Sequence, residues 1–236
     1  AQFIRDKIKE VVNDIAVAEL LSPKNLFGCK RLCVASGYYE TFNRNNVKLI
    51  DVSATPIDRI TPNGVSVDNQ EFEVDTIVLA TGFDAMTGAL KKIDITGIDN
   101  LKLSEKWQDG PRTYLGLTTS GFPNFFTITG PGSPSVLTNM IPSVEQHVEW
   151  ISECIRYMNS KDLKRIVADY TAENSWMEHV NDLAEKSLRS TCLSWYLGSN
   201  VPGKPRVFMP YIGGVPSYRK KCEDVVEEGY FGFEMT

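Results

Sequence analysis

Between Asp75 and Ala85 the chain reads DTIVLATGFDA. The run Ile77–Thr81 carries no charge, follows Asp75 and ends at Gly82. A short continuous apolar run with β-branched residues is the pattern of a strand buried on both faces, the kind found in parallel sheets. A glycine directly after it permits a turn, or a close approach of backbone to a ligand. The crevice at the carboxyl end of such a strand is where open α/β sheets bind ligands. An ordinary core strand followed by a turn fits the same letters.

The rest of the composition narrows the function classes. With 236 residues the chain has room for one large domain or two small ones. No apolar run approaches the ~20 residues needed to span a bilayer, and no charged-then-apolar leader marks it for secretion. A net charge of -5 argues against nucleic-acid binding as the main role. Cys29, Cys33, Cys154, Cys192 and Cys222 are scattered and form no CxxC, so disulfide scaffolding is not expected and a reducing cytosol fits. His147 and His179 fall on different expected helices, and no set of four spaced zinc ligands is visible. No GxSxG accompanies either histidine. The chain begins at Ala1 inside a helical pattern, and no GxGxxG occurs. A dinucleotide site built from it would lack its phosphate-binding first turn, so part of a longer protein is expected.

Ile4, Ile8, Val11 and Ile15 share one helix face over residues 1 to about 18. Short strands are expected at Leu32–Val34 and Val47–Val52, with a turn at Pro62–Gly64 between Ile57–Ile60 and Val65–Val67. Asn124–Thr129 (NFFTIT) reads as a second buried strand, running into GPGSPSVLTNM. A helix from about Ser143 to Met158 places Val144, Val148, Ile151, Ile155 and Met158 on one side, and Pro142 kinks or delays its start. Another, about Thr171 to Leu188, carries Trp176, Val180 and Leu183. The tail from Ser194 is too apolar for disorder and is expected as an ordered wrap, with a short helix near Tyr218–Glu228. Trp107 reads as an aromatic anchor.

Four places could carry chemistry. Lys30 and Arg31 follow Gly28 at an expected loop-to-strand junction. Arg is a planar, permanently charged fork suited to an anionic intermediate, and Lys is a mobile point charge suited to a phosphate. A solvated basic pair is the plainer alternative. In Gly130–Met140 a strand breaks at two glycines and restarts as a helix, which aims backbone N–H groups and a positive dipole end outward. A proline-rich loop capped by Ser133 or Ser135 fits equally. Trp195 can stack on a cofactor, or simply anchor packing. Arg44 with Tyr38 and Tyr39 reads as structural.

The blocks ATGFDAMTGAL, EKWQDGPRTYLGL, GFPNFFTITGPGSPSVLTNM, EQHVEWI and SWYLGSNVPGKPRVFM together resemble the C-terminal half of a Baeyer–Villiger monooxygenase of the cyclohexanone or phenylacetone type. The resemblance implies an α/β flavoprotein with two partial dinucleotide-binding domains, built from parallel strands and C-terminal helices. Residues 1–24 would end a helical insertion, 25–80 would close the NADP domain, and 81–236 would complete the FAD domain with a C-terminal wrap. It implies FAD and NADPH as cofactors, and a ketone and O2 as substrates, giving an ester or lactone in the cytoplasm without nucleic acid or membrane. The missing N-terminal half would be a partner. Arg31 would steady the anionic oxygenated flavin and the tetrahedral adduct. Lys30 would hold the 2′-phosphate of NADP, Met140 would contact the flavin, and Trp195 would close over the nicotinamide. Leu32, Ser135, Val136, Leu137 and Met209 would line the ketone pocket. The family's glycine fingerprints and its F-x-G-x-x-x-H-x-x-x-W-P segment have no counterpart here, and His147 is not that segment's histidine. The alternatives are a flavin monooxygenase that oxidises amines or sulfides, and an isolated half-protein without activity.

Overall fold

The computed structural model describes residues 1–236. The chain forms two compact units, Ala1–Gly82 and Phe83–Thr236.

In the first unit the expected single helix is two, α1 (Gln2–Val11) and α2 (Ile15–Leu21). Asp14 breaks it. Its carboxylate accepts the N–H groups of Ala16 and Val17 at 2.8 and 3.2 Å, satisfying two donors that a helix start leaves open. Ile8, Val12 and Ala18 make a small core, while Ile15 is exposed. No strand forms at Leu32–Val34 or Val47–Val52. That stretch holds only a short 3-10 turn, Glu40–Asn43, with Tyr38 edge-on to Tyr39 and Phe42. The expected hairpin forms: β1 (Ile57–Thr61) pairs antiparallel with β2 (Gly64–Val67), and β2 with β3 (Gln70–Glu73). Asp68 and Asn69 make the second turn with φ of 51° and 59°, values these short polar residues tolerate.

Ile77–Thr81 departs from expectation. It forms no strand, and Val78 and Leu79 are 83% and 74% exposed. Every strand pair in the chain is antiparallel. A backbone becomes a strand only where another satisfies its N–H and C=O groups, and no segment of this chain pairs with residues 77–81. Asn124–Thr129 likewise contributes only one bridge, Thr118 to Phe126.

The second unit contains α3 (Gly88–Lys91), α4 (Leu103–Lys106), α5 (Met140–Ser160), β4 (Ile166–Ala168), α6 (Tyr170–Glu185), α7 (Val215–Glu227) and β5 (Phe233–Met235), with β4 and β5 antiparallel. Its main core joins Trp150, Cys154 and Met158 of α5 to Trp176, Met177 and Val180 of α6 and to Tyr218 and Cys222 of α7. Helix α5 starts at Met140, earlier than expected, because Asn139 accepts the Ile141 N–H at 3.1 Å. Pro142 sits in the first turn, where a missing N–H has no helical acceptor to lose. The face of α5 that turns inward is Ser143, Gln146, His147, Trp150, Cys154 and Met158. Val148 and Ile155, which share the expected apolar side, are exposed. Trp107 is buried as an anchor, and its indole donates to the Arg112 carbonyl at 3.0 Å. No helix is long and apolar enough to cross a membrane.

Candidate functional site

The loop Thr129–Ser135 of the second unit is held by hydrogen bonds from several sides. Gly130 to Ser135 are buried, and their carbonyls are claimed from behind. Thr113 Oγ1 donates to Pro131 O at 2.6 Å, the Trp176 indole to Gly132 O at 3.1 Å, and the Tyr211 N–H to Ser133 O at 2.7 Å. Trp176 is itself fixed by stacking on Tyr211, ring centroids 5.4 Å apart. The loop runs close to the turn at Leu115–Gly116. A Cβ on Gly130 would sit 2.5 Å from Gly116 O, and one on Gly116 would sit 2.5 Å from Ser133 N. Neither position can carry a side chain without moving backbone. Thr129 and Ser135, at the two ends, hold φ of 53° and 44°, a left-handed conformation that is rare for a β-branched residue such as Thr129.

This loop is joined to the tail. Gly132 N–H donates to Met209 O at 2.7 Å, and Met209 N–H to Tyr196 O at 2.9 Å. Val136, Leu137 and Trp195 pack on the cluster of Ala184, Tyr196 and Phe208. Trp195 is half-buried against Tyr196, rings 4.3 Å apart. Met140 is partly exposed at the N-terminal end of α5, a 21-residue helix whose start carries the positive end of its dipole. Further along the tail, the Asn200 amide donates to Phe83 O at 3.0 Å, and Lys204 pairs with Asp84. Ser135 Oγ lies 3.5 Å from Met86 Sδ. The structure therefore brings together Ser135, Val136, Leu137, Trp195 and Met209, with Met140 close by in sequence at the start of α5. Ser135 and Met209 are fully buried, so the surface presented outward comes from Val136, Leu137, Trp195 and Met140.

In the first unit, Lys30, Arg31 and Leu32 lie exposed in a loop rather than at a strand start. Gly82, at the end of that unit, has φ 81° and open space where a Cβ would be.

The residues that hold the loop are Thr113, His147, Trp176, Tyr211 and Tyr218, and the sequence patterns mark none of them as functional. His147 is the most unusual of them. It is completely buried, and burial pushes its imidazole down to about 4. A polar triplet inside an apolar-periodic helix, Gln146-His147 after Ser143, was the available signal. A cavity of about 690 Å³, lined by Tyr114, Trp176, His179, Tyr230, Phe231 and Phe233, includes none of the residues singled out for cofactor or ketone binding.

The arrangement is similar to that of solved monooxygenases. The chain superposes with a TM-score of 0.92 on the crystal structure of the OTEMO complex with FAD and NADP, at 40% identity, covering 100% of this chain and 43% of that one. In sequence it is 42% identical to the cyclohexanone 1,2-monooxygenase of Acinetobacter sp over 99% of this chain and 42% of the relative. It is 36% identical to a phenazine N-monooxygenase of Lysobacter antibioticus, over 99% of this chain and 43% of the relative. No protein-family model matches. The chain spans less than half the length of these relatives.

Proposed function

We propose that this chain is the C-terminal part of an FAD- and NADPH-dependent Baeyer–Villiger monooxygenase, converting a ketone to an ester or lactone. The carrying observation is the match to cyclohexanone 1,2-monooxygenase, 42% identical over 99% of the chain. The residues present suit the two cofactors. Lys30 and Arg31 are adjacent exposed cations, Met140 stands at a long helix start, and Trp195 offers a half-buried indole. In this reading residues 1–24 end a helical insertion, 25–80 close an NADP-binding domain and 81–236 complete an FAD-binding domain. Ile77–Thr81 is then a strand whose parallel neighbours are on the remainder of the protein, which accounts for its exposed apolar side chains.

When bound, FAD reduced by NADPH supplies, with O2, the oxygen atom inserted beside the carbonyl. Arg31 would supply a permanent positive charge to offset the negative charge that develops on the reacting atoms. Lys30 binds the 2′-phosphate of NADPH as a point charge. Trp195 would cover the nicotinamide, and Met140 would border the flavin. Val136 and Leu137 would exclude water around the ketone, with Ser135 and Met209 shaping that surface from beneath, and the resemblance gives Leu32 a role in the same pocket. The protein acts in the cytoplasm on small molecules, without membrane or nucleic acid.

The test is product analysis. The full-length protein, given NADPH and a cyclic ketone, is expected to yield lactone. Sulfoxide or N-oxide formation with no lactone from any of a panel of ketones would favour the alternative to which the phenazine N-monooxygenase likeness points. Lys30→Ala is expected to raise the KM for NADPH roughly ten- to a hundredfold while leaving that for NADH within about twofold, since only NADPH carries the phosphate. Equal effects on both would remove the assigned role.

A further inference from the structure

We infer that His147 is a positioning residue that sets the conformation of the Thr129–Ser135 loop and ties that loop to helix α7. The inference rests on the proposed function only in taking this loop to border the flavin. The hydrogen bonds around the imidazole leave one consistent assignment. Thr129 N–H donates to His147 Nδ1 at 2.8 Å, so Nδ1 is the unprotonated nitrogen. The proton is then on Nε2, which is 2.9 Å from the Tyr218 hydroxyl and donates to it. Tyr218 passes its own proton toward Leu115 O at 2.7 Å. The relay therefore runs from the start of the loop, through the imidazole and α7, to the turn against which Gly130 and Ser133 are pressed.

That turn and the loop start are both left-handed. Leu115 has φ 57° and Thr129 has φ 53°. Such conformations at non-glycine residues persist only where the surroundings over-determine them. His147 contacts one directly and the other through Tyr218, so a single side chain supports both strained positions. The residues Thr127–Ser133 carry no titratable side chain. The titratable groups beside the relay are Tyr218 and Cys222 on α7 and Tyr114 beside the turn, all raised by burial and so uncharged at working pH, together with Tyr211, whose ring lies 5.7 Å from that of Tyr218. Gln146 on α5 is neutral.

The neutral imidazole is required, because a proton on Nδ1 turns the acceptor for Thr129 N–H into a donor. Its folded-state pKa is lowered to about 4 from 6.5. The sign follows: the relay contributes fully above the unfolded value and is lost as pH falls from 6.5 through about 4.

The experiment measures amide-exchange protection at Thr129 and FAD affinity in the full-length protein, as wild type, His147→Gln, His147→Leu and Tyr218→Phe. Gln keeps an acceptor and a donor; Leu keeps neither. Leu is expected to lower Thr129 protection roughly tenfold or more, the loss of one buried hydrogen bond with its orphaned donor. Gln is expected to stay within about threefold. Wild-type protection should fall as the pH drops below 6.5, and that of His147→Gln should not. Should the Leu variant fail to fold, Tyr218→Phe and the pH comparison decide. Unchanged protection in the Leu variant, a Gln variant as impaired as Leu, or a pH fall shared by Gln would each overturn the inference. If protection responds as expected but FAD affinity does not move, the relay stands and the assignment of this loop to the flavin fails.

Discussion

On the proposed function, Arg31→Ala in the full-length protein is expected to abolish most ester formation, by roughly 10²- to 10³-fold, while NADPH still reduces the flavin at close to the normal rate. The magnitude is that of removing one preorganised stabiliser of developing charge, about 3–4 kcal/mol. The split between the two half-reactions is the informative part. Hydride transfer to the flavin does not build negative charge on the ketone, whereas oxygen insertion does. An Arg31→Lys variant keeps the charge but not the planar fork, so it should recover only part of the loss. Rapid-mixing absorbance follows reduction, and chromatography of the extracted products follows insertion. Lactone at the wild-type rate from the Ala variant would remove Arg31 from the mechanism. A parallel loss of reduction would instead make it a cofactor-binding residue only.

The largest stability effect is expected at Glu173. This carboxylate in the first turns of α6 is completely buried, yet it lies outside the apolar core. One oxygen accepts the Ser120 N–H at 2.8 Å. The other is 2.8 Å from Lys106 Nζ and 3.7 Å from Arg112 Nε. It thereby ties α6 to α4 and to the turn that precedes Phe122. Glu173→Ala leaves a buried N–H without an acceptor and a largely buried ammonium without its anion. Removing one member of a buried ion pair costs about 3–5 kcal/mol. Arg112 is 39% exposed, so water compensates part of the loss and about 2–4 kcal/mol is expected. For a unit of this size that lowers the melting temperature by roughly 5–15 °C. Glu173→Gln retains an acceptor for Ser120 and should lose about half as much. Thermal melts of the two variants beside wild type measure this, and a Glu173→Ala protein melting within a degree of wild type would show that the pair contributes nothing net.

Local chemistry was legible in the sequence wherever the deciding interactions are local. The Pro62–Gly64 turn forms because a rigid proline and a glycine favour it whatever surrounds them, and Ile57–Ile60 and Val65–Val67 pair across it as expected. The split of the first helix was missed although its cause is also local: Asp14 offers a cap that competes with continuing the helix. Helix α5 shows the opposite limit. Its apolar residues have a clear period, but Ser143, Gln146 and His147 turn inward, because distant groups on α7 and in the loop satisfy them. Burial of a polar side chain depends on its partner, and the partner of His147 is 71 residues away in Tyr218.

The charge and shape of Lys30 and Arg31, the turns, the capping residues and the ordered blocks shared with Baeyer–Villiger monooxygenases were all properties of the residues themselves. Tertiary structure alone decided that Ile77–Thr81 stays unpaired, which face of α5 is inward, and how the Thr129–Ser135 loop is held. Each of those depends on hydrogen-bond partners far along the chain, or absent from it, and a run of letters specifies what a group can bond to but not what it meets.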